Sequence, residues 1–339
     1  MRKGHWTEMV TGLLILFLVG ISPTLAADQV ASDVLSGAFS IDDLNLEPCA
    51  CCDSGCGCDG GCDCGDACIE DRLFGFIRRS QSGFDRFISP LTNPVHFEDP
   101  RTLSEARFIF LNHHVPGAAG GGDVRLIAAQ FRAALTERLS LVAVKDGFIM
   151  STNGLINDGF ADVGAGLKYN FYADVQSQRL LSAGLNYELP VGTPRAFQGN
   201  GDGEFHFYLS GGAQLGEHSH WISNSGFKIG VDEDEDSDFW YWSNHFDYEV
   251  RDRWYLLTEL NWYHWTRAGS NPALAGVEGG DLFNFGSTGV AGNDIVTNAI
   301  GIKFKRDRHR ELGIAFEYPL TDRRDVIDNR ITVDWIFRY

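Results

Sequence analysis

Eight cysteines fall between residues 49 and 68 and nowhere else: Cys49, Cys51, Cys52, Cys56, Cys58, Cys62, Cys64 and Cys68. Their C-x-C and C-C spacings suit a metallothionein-like thiolate cluster better than the C-x2-C pairs of structural zinc sites. Gly and Asp fill the gaps, with almost nothing apolar to form a core, so only cross-links or a metal would order the segment. In an oxidising compartment, disulfides or a plain tether are favoured over a metal site. No other cofactor is expected.

Elsewhere His113, His114, His218, His220, His245 and His264 offer bases, with Ser210, Ser243 and Asp247 as partners. None forms a catalytic spacing, so no catalytic residue is assigned and no enzyme is expected. The acidic run from Asp232 to Asp238 suits a solvated loop better than a divalent-ion site. Gly117–Gly122 and Gly199–Gly203 lack the Lys-Ser/Thr that would follow in a P-loop. A formal charge of -18 and a pI near 4.9 exclude nucleic acid as a partner, because no basic groove is supplied.

The elements that would position these groups start with the N-terminus. Arg2 and Lys3, an apolar run from Leu13 to Ile21, and Thr24-Leu25-Ala26 mark residues 1–26 as a secretory signal peptide, cleaved after Ala26. The run is too short to span a membrane comfortably, and no Cys follows to take a lipid. Beyond it no apolar stretch suffices for a transmembrane helix. A membrane location therefore requires closed β-structure, in which every backbone group is paired.

Residues 331–339 carry that pattern without a fault. Ile331, Val333, Trp335, Phe337 and Tyr339 point one way, and Thr332, Asp334, Ile336 and Arg338 the other. Strands are expected at 104–114, 122–134, 138–147, 160–172, 179–190, 203–212, 219–230, 238–249, 253–265, 294–305, 310–318 and 329–339. Alternation is weak at 122–134 and 219–230. Short charged turns at one end and longer loops at the other, including 146–159, 191–202, 267–293 and 321–329, complete the pattern. Trp240, Trp242, Trp254, Trp262, Trp265, Trp335 and Tyr339 fit an interfacial girdle.

The expected fold class is all-β: a transmembrane antiparallel up-and-down β-barrel of about 12 strands over residues 104–339, in the outer membrane. Residues 27–103 form the Cys-rich, partly helical extension before it. There, from Ile69 to Ile88, the apolar residues Leu73, Phe74, Ile77, Phe84, Phe87 and Ile88 predict one or two short amphipathic helices, able to plug the barrel, to lie on the periplasmic leaflet or to pack under the rim. Ser89–Arg101, with Pro90, Pro94 and Pro100, is expected to be a linker.

The inward positions carry Asp162, Lys168, Glu188, Glu259, Asn261, Lys303, Lys305, Glu311, Glu317, Asp334 and Arg338. Mixed charges of this kind line a polar pore, or close it as a ladder of cross-strand ion pairs such as Glu311 with Lys303, Lys305 or Arg338. Twelve strands lie between a filled interior and an open channel, so both arrangements stand.

The stretch from Gly159 to Phe171, then Ala183–Gly192, then Gly199–Phe205, resembles a family of outer-membrane proteins named for a link to the meta-pathway of phenol degradation. Asp162, Gly166, Lys168, Tyr169, Pro190 and Gly192 match its pattern, while Val191 stands where Thr is usual. The likeness covers most of residues 104–339 and leaves out the cysteines. It implies a transporter-like barrel passing small, aromatic or hydrophobic solutes. Its partners would be outer-membrane lipid and the barrel assembly machinery, with Tyr339 ending the assembly signal. The alternatives are a barrel that anchors the Cys-rich segment at the surface and, less favoured, an outer-membrane enzyme.

Overall fold

The computed structural model describes residues 72–339. The signal peptide of residues 1–26 and the eight cysteines lie outside the described residues.

The chain forms β1 (Glu105–His114), β2 (Asp123–Ala134), β3 (Leu139–Lys145), β4 (Phe148–Ser151), β5 (Gly159–Phe160), β6 (Val163–Asp174) and β7 (Arg179–Leu189). It continues through β8 (Glu204–Gln214), β9 (Ser219–Gly230), β10 (Asp238–Arg251), β11 (Trp254–Arg267), β12 (Asp294–Asp307), β13 (Arg310–Pro319) and β14 (Asn329–Arg338). β3 and β4 lie end to end along β2, and β5 and β6 lie end to end along β4 and β3. Each of those pairs acts as one stave, so the fourteen segments make an antiparallel barrel of twelve. β14 pairs with β1 from Glu105–Arg338 to His114–Asn329, which closes the sheet and removes its edges.

Side-chain alternation runs around the barrel. On β14, Arg330, Thr332, Asp334, Ile336 and Arg338 are buried, while Ile331 and Trp335 are exposed on the other face. The outer surface carries Phe108, Phe131, Leu167, Phe207, Phe246, Ile300, Ile314 and Phe316, all exposed, as an apolar band for lipid. Indoles on that surface keep their N–H groups satisfied: Trp240 Nε1 donates to Ser225 Oγ at 2.9 Å and Trp242 Nε1 to Ser223 Oγ at 2.9 Å. Trp265 departs from the expected girdle. It is 1% exposed and packs inside against Phe239 and Tyr263, because its parity on β11 matches inward Glu259 and Asn261.

The expected outer loop at 146–159 is shorter, because the stave resumes as β4 after Asp146-Gly147. Asp146 Oδ1 accepts from the Ala129 N–H at 2.9 Å, filling a gap in the ladder. The helices expected near 69–88 are also corrected: residues 72–88 contain no α-helix. Phe74, Gly75 and Gly83 have φ of 54°, 80° and 92°, in the left-handed region, which interrupts any helix. Phe84 and Phe87 share only a single turn, with Phe87 N donating to Phe84 O at 3.2 Å.

Candidate functional site

The barrel encloses its own N-terminal segment. Residues 84–104 enter from the short-turn end, reverse at Asn93–Phe97 and return to become β1. Asn93, with φ 50°, makes the reversal by accepting from the His96 and Phe97 N–H groups at 3.1 and 2.8 Å. At the turn end, Ser80 N donates to Tyr339 O at 2.8 Å and Ser104 Oγ to Arg78 O at 2.6 Å. The stretch expected as a linker, Ser89–Arg101, is buried throughout. Its prolines keep it out of helix and sheet, leaving most of its polar backbone for the wall's side chains to satisfy.

Those side chains come from around the circumference. Glu259 accepts from the N–H groups of Leu91 and Thr92 at 2.7 and 2.6 Å, and from the Thr92 hydroxyl. Lys303 donates to Ser89 O at 2.9 Å, Lys168 to Asp99 O at 2.6 Å and Asn170 to Pro100 O at 3.0 Å. Ser210 donates to Glu98 O at 2.6 Å, Tyr241 to His96 O at 2.9 Å and Gln130 to Pro94 O at 2.7 Å. Arg107 donates to Pro90 O at 2.9 Å.

A continuous ion-pair network fills the half nearer the turns. Lys168 meets Glu98 at 2.7 Å, Glu98 meets Arg132 at 2.6 Å, Arg132 meets Glu105 at 3.1 Å and Glu105 meets Arg338 at 2.8 Å. Arg338 goes on to Glu311 at 2.5 Å, which also faces Lys303 at 3.7 Å and Lys305 at 3.6 Å. Lys303 reaches Asp334 at 3.0 Å, and Asp334 reaches Arg107 at 3.0 Å. On the segment itself Arg101 pairs with Asp99 at 2.7 Å. Seven cations thus face five carboxylates.

A second chain of groups runs from the wall to the segment. His220 Nδ1 lies 2.8 Å from Asp247, Asp247 lies 3.1 Å from His245 Nε2, and His245 Nδ1 lies 2.6 Å from Glu259. Its endpoint is the Leu91–Thr92 backbone, where a substrate would have to enter to be attacked. That position is filled by the protein.

The outer half of the lumen is different. Val95 of the segment, Ile109, Leu126 and Ile149 of the wall, and Leu282 and Phe283 of the loop 268–293 form one buried apolar cluster. Arg330 holds that loop inside, pairing with Asp281 at 2.6 Å and with Glu317 at 2.7 Å. In the loop 231–237, Asp236 is buried over Gly201 and Gly230. Burial first, and then the neighbouring Glu204, push its carboxyl up to about 8.

Every expected lumen residue faces inward. Lys168, Glu259, Lys303, Lys305, Glu311, Glu317, Asp334 and Arg338 join the contacts above. Asp162 and Glu188 sit nearer the long loops. Asp162 accepts from the Gly192 and Gly199 N–H groups at 2.8 Å each, and Glu188 meets Lys145 at 2.5 Å. Glu98, Asp99, Arg101, Arg107 and Arg132 were missed. The last two stand at inward parity, alternating with exposed Phe108 and Phe131. The first three were obscured by their place in a supposed linker.

No family model matches the chain, and no curated protein matches it. Among solved structures, an outer-membrane channel from Pseudomonas putida F1 superposes with a TM-score of 0.51 at 12% identity, covering 75% of this chain and 100% of that one. This is the fold of an outer-membrane channel. The NanC porin, at a TM-score of 0.46 and 8% identity, covers 70% of this chain and 100% of its own. The KdgM porin, at 0.40 and 12%, covers 69% and 99%.

Proposed function

We propose that the protein is a gated outer-membrane channel for small apolar or aromatic molecules, closed by residues 84–104. One observation carries this reading: the occluding segment is held by side chains, not by strand pairing. Its carbonyls and N–H groups are bound by Lys168, Glu259, Lys303 and their neighbours, contacts that water can replace. The segment can therefore leave while the barrel ladder stays intact. Once it is displaced, the apolar cluster around Ile109, Leu126 and Ile149 loses Val95 and offers its surface to an apolar solute. The resemblance to the phenol-pathway family points to the same solute class, and the fold shared with an outer-membrane channel supports the location.

A closed barrel anchoring the Cys-rich segment would have the same filled lumen. Planar-bilayer conductance and uptake of phenol into proteoliposomes separate the two, using the full chain and a variant lacking residues 84–100. The channel reading expects rare small openings in the full chain and a large rise in both signals on deletion. A correctly folded deletion variant that neither conducts nor takes up phenol would eliminate it.

A further inference from the structure

Part of the lumen wall is aromatic. Tyr208 on β8, Phe239 and Tyr241 on β10, and Tyr263 and Trp265 on β11 are buried in one inward-facing cluster. His206 on β8 joins them, stacked on Tyr208 with ring centres 5.0 Å apart. All of these rings belong to staves of the barrel, so they stay in place when residues 84–104 leave.

The re-entrant segment inserts a ring of its own among them. The His96 imidazole meets His206 edge-on at 4.9 Å and Phe239 edge-on at 5.4 Å, and lies tilted by 32° at 5.3 Å from Tyr241. It is 1% exposed, and neither ring nitrogen has a hydrogen-bond partner among the described residues. Ring contact alone therefore holds the side chain. Buried nitrogens left unpaired are costly, so the cage suits a ring of carbon better than the imidazole it now holds. The polar groups beside it lie elsewhere. Tyr241 donates to His96 O at 2.9 Å, and Asn186, which lines the same small gap as His96 and His206, has a buried Oδ1 without a partner.

We propose that His96 occupies the subsite of the solute's own aromatic ring, a cage of His206, Phe239 and Tyr241 that takes a hydroxylated benzene ring when the segment withdraws. The assignment rests on the gated-channel reading and gives it a recognition site. The cage reads the faces and edges of the ring, while a ring hydroxyl accepts from Tyr241 where the His96 carbonyl now does, or donates to Asn186 Oδ1. Solute and plug then compete for one place, which couples the arrival of an aromatic solute to release of the segment.

The test is isothermal titration of the detergent-solubilised full chain with phenol and with cyclohexanol, which has the hydroxyl and a similar size but no aromatic ring. His96→Ala empties the cage and touches no strand pairing, so phenol should bind it saturably and at least about tenfold tighter than it binds the native chain. Cyclohexanol should bind that variant about fivefold more weakly than phenol, and adding Phe239→Leu should weaken phenol by a similar factor. In the native chain phenol should speed hydrogen exchange at residues 95–97. His96→Phe keeps the ring contacts without the unpaired nitrogens, so there the same phenol concentration should speed exchange less. Equal phenol affinity in native and His96→Ala chains, cyclohexanol binding as tight as phenol, or an exchange response as large in His96→Phe as in the native chain would each overturn the proposal. Binding is read apart from transport. Ring-specific binding without conductance in the variant lacking residues 84–100 would remove the channel reading alone, and conductance without ring-specific binding would remove this site alone.

Discussion

Glu98, on the re-entrant segment, and Arg132, on β2, form a forked ion pair inside the barrel, with Nε–Oε1 at 2.8 Å and Nη2–Oε2 at 2.6 Å. Lys168 on β6 takes the same carboxylate at 2.7 Å, so one acid ties the segment to two staves.

Replacing Glu98 by Gln should therefore free the segment. A buried pair broken on one side costs about 3–5 kcal/mol, because the remaining cations stay desolvated. Here the loss is relieved by releasing the segment and admitting water. Hydrogen exchange of residues 84–104 should rise sharply while that of β10 and β11 stays protected, and single-channel openings should lengthen. Unchanged exchange in the segment would show that Glu98 is not the latch.

How far this arrangement was legible depends on how cleanly each face differs from the other. On β6, inward Lys168 and Asn170 alternate with outward Leu167 and Tyr169, and the period of two is plain. On β2 it fades, because inward Val124, Leu126 and Ala128 pack against the apolar cluster and are as apolar as outward Ile127. On β9 it fades for the opposite reason, since outward Ser223 and Ser225 are polar and serve the indoles of Trp242 and Trp240. The re-entrant segment could not be read at all from local pattern. Its conformation is set by Glu259, Lys303 and other groups more than a hundred residues away in the chain. Phe84, Phe87 and Ile88 imitate helical spacing, but the single turn sends Phe84 and Phe87 into one cluster with Phe97 and Ile88 into another with Leu91.

Glu259→Gln tests the second latch. An amide oxygen can accept from Leu91 or Thr92, but the variant loses the charge that holds His245 and the two N–H groups together. The segment should loosen near residues 89–93 and less near residue 98. Combined with Glu98→Gln, the effects should be less than additive, since releasing one end already frees much of the other. Strict additivity in conductance free energy would mean that the two contacts do not share one moving element.

The outer band predicts a different kind of sensitivity. Ile314 is outward and exposed on β13, directly opposite Val333. Arg placed there faces hydrocarbon, at a cost of about 2–4 kcal/mol near the bilayer midplane. Urea unfolding from lipid vesicles should show that loss for Ile314→Arg. A loss below about 1 kcal/mol would place Ile314 at an interface or outside the membrane altogether.

Asp236 gives the protein a pH dependence that can be signed in advance. Its carboxyl is raised from 3.8 to about 8 by burial and then by Glu204, so the folded loop keeps a proton that the unfolded chain gives up near its ordinary value. The group's stabilising contribution is full below pH 4, falls as pH rises towards 8, and is flat above. Asp236→Asn should remove this slope, protecting the loop 231–237 in alkaline solution and leaving its protection near pH 5 almost unchanged. Exchange rates corrected for intrinsic pH effects provide the measurement. If the native loop shows the same protection at pH 5 and pH 9, the buried carboxyl is not protonated in the folded state and the assignment fails.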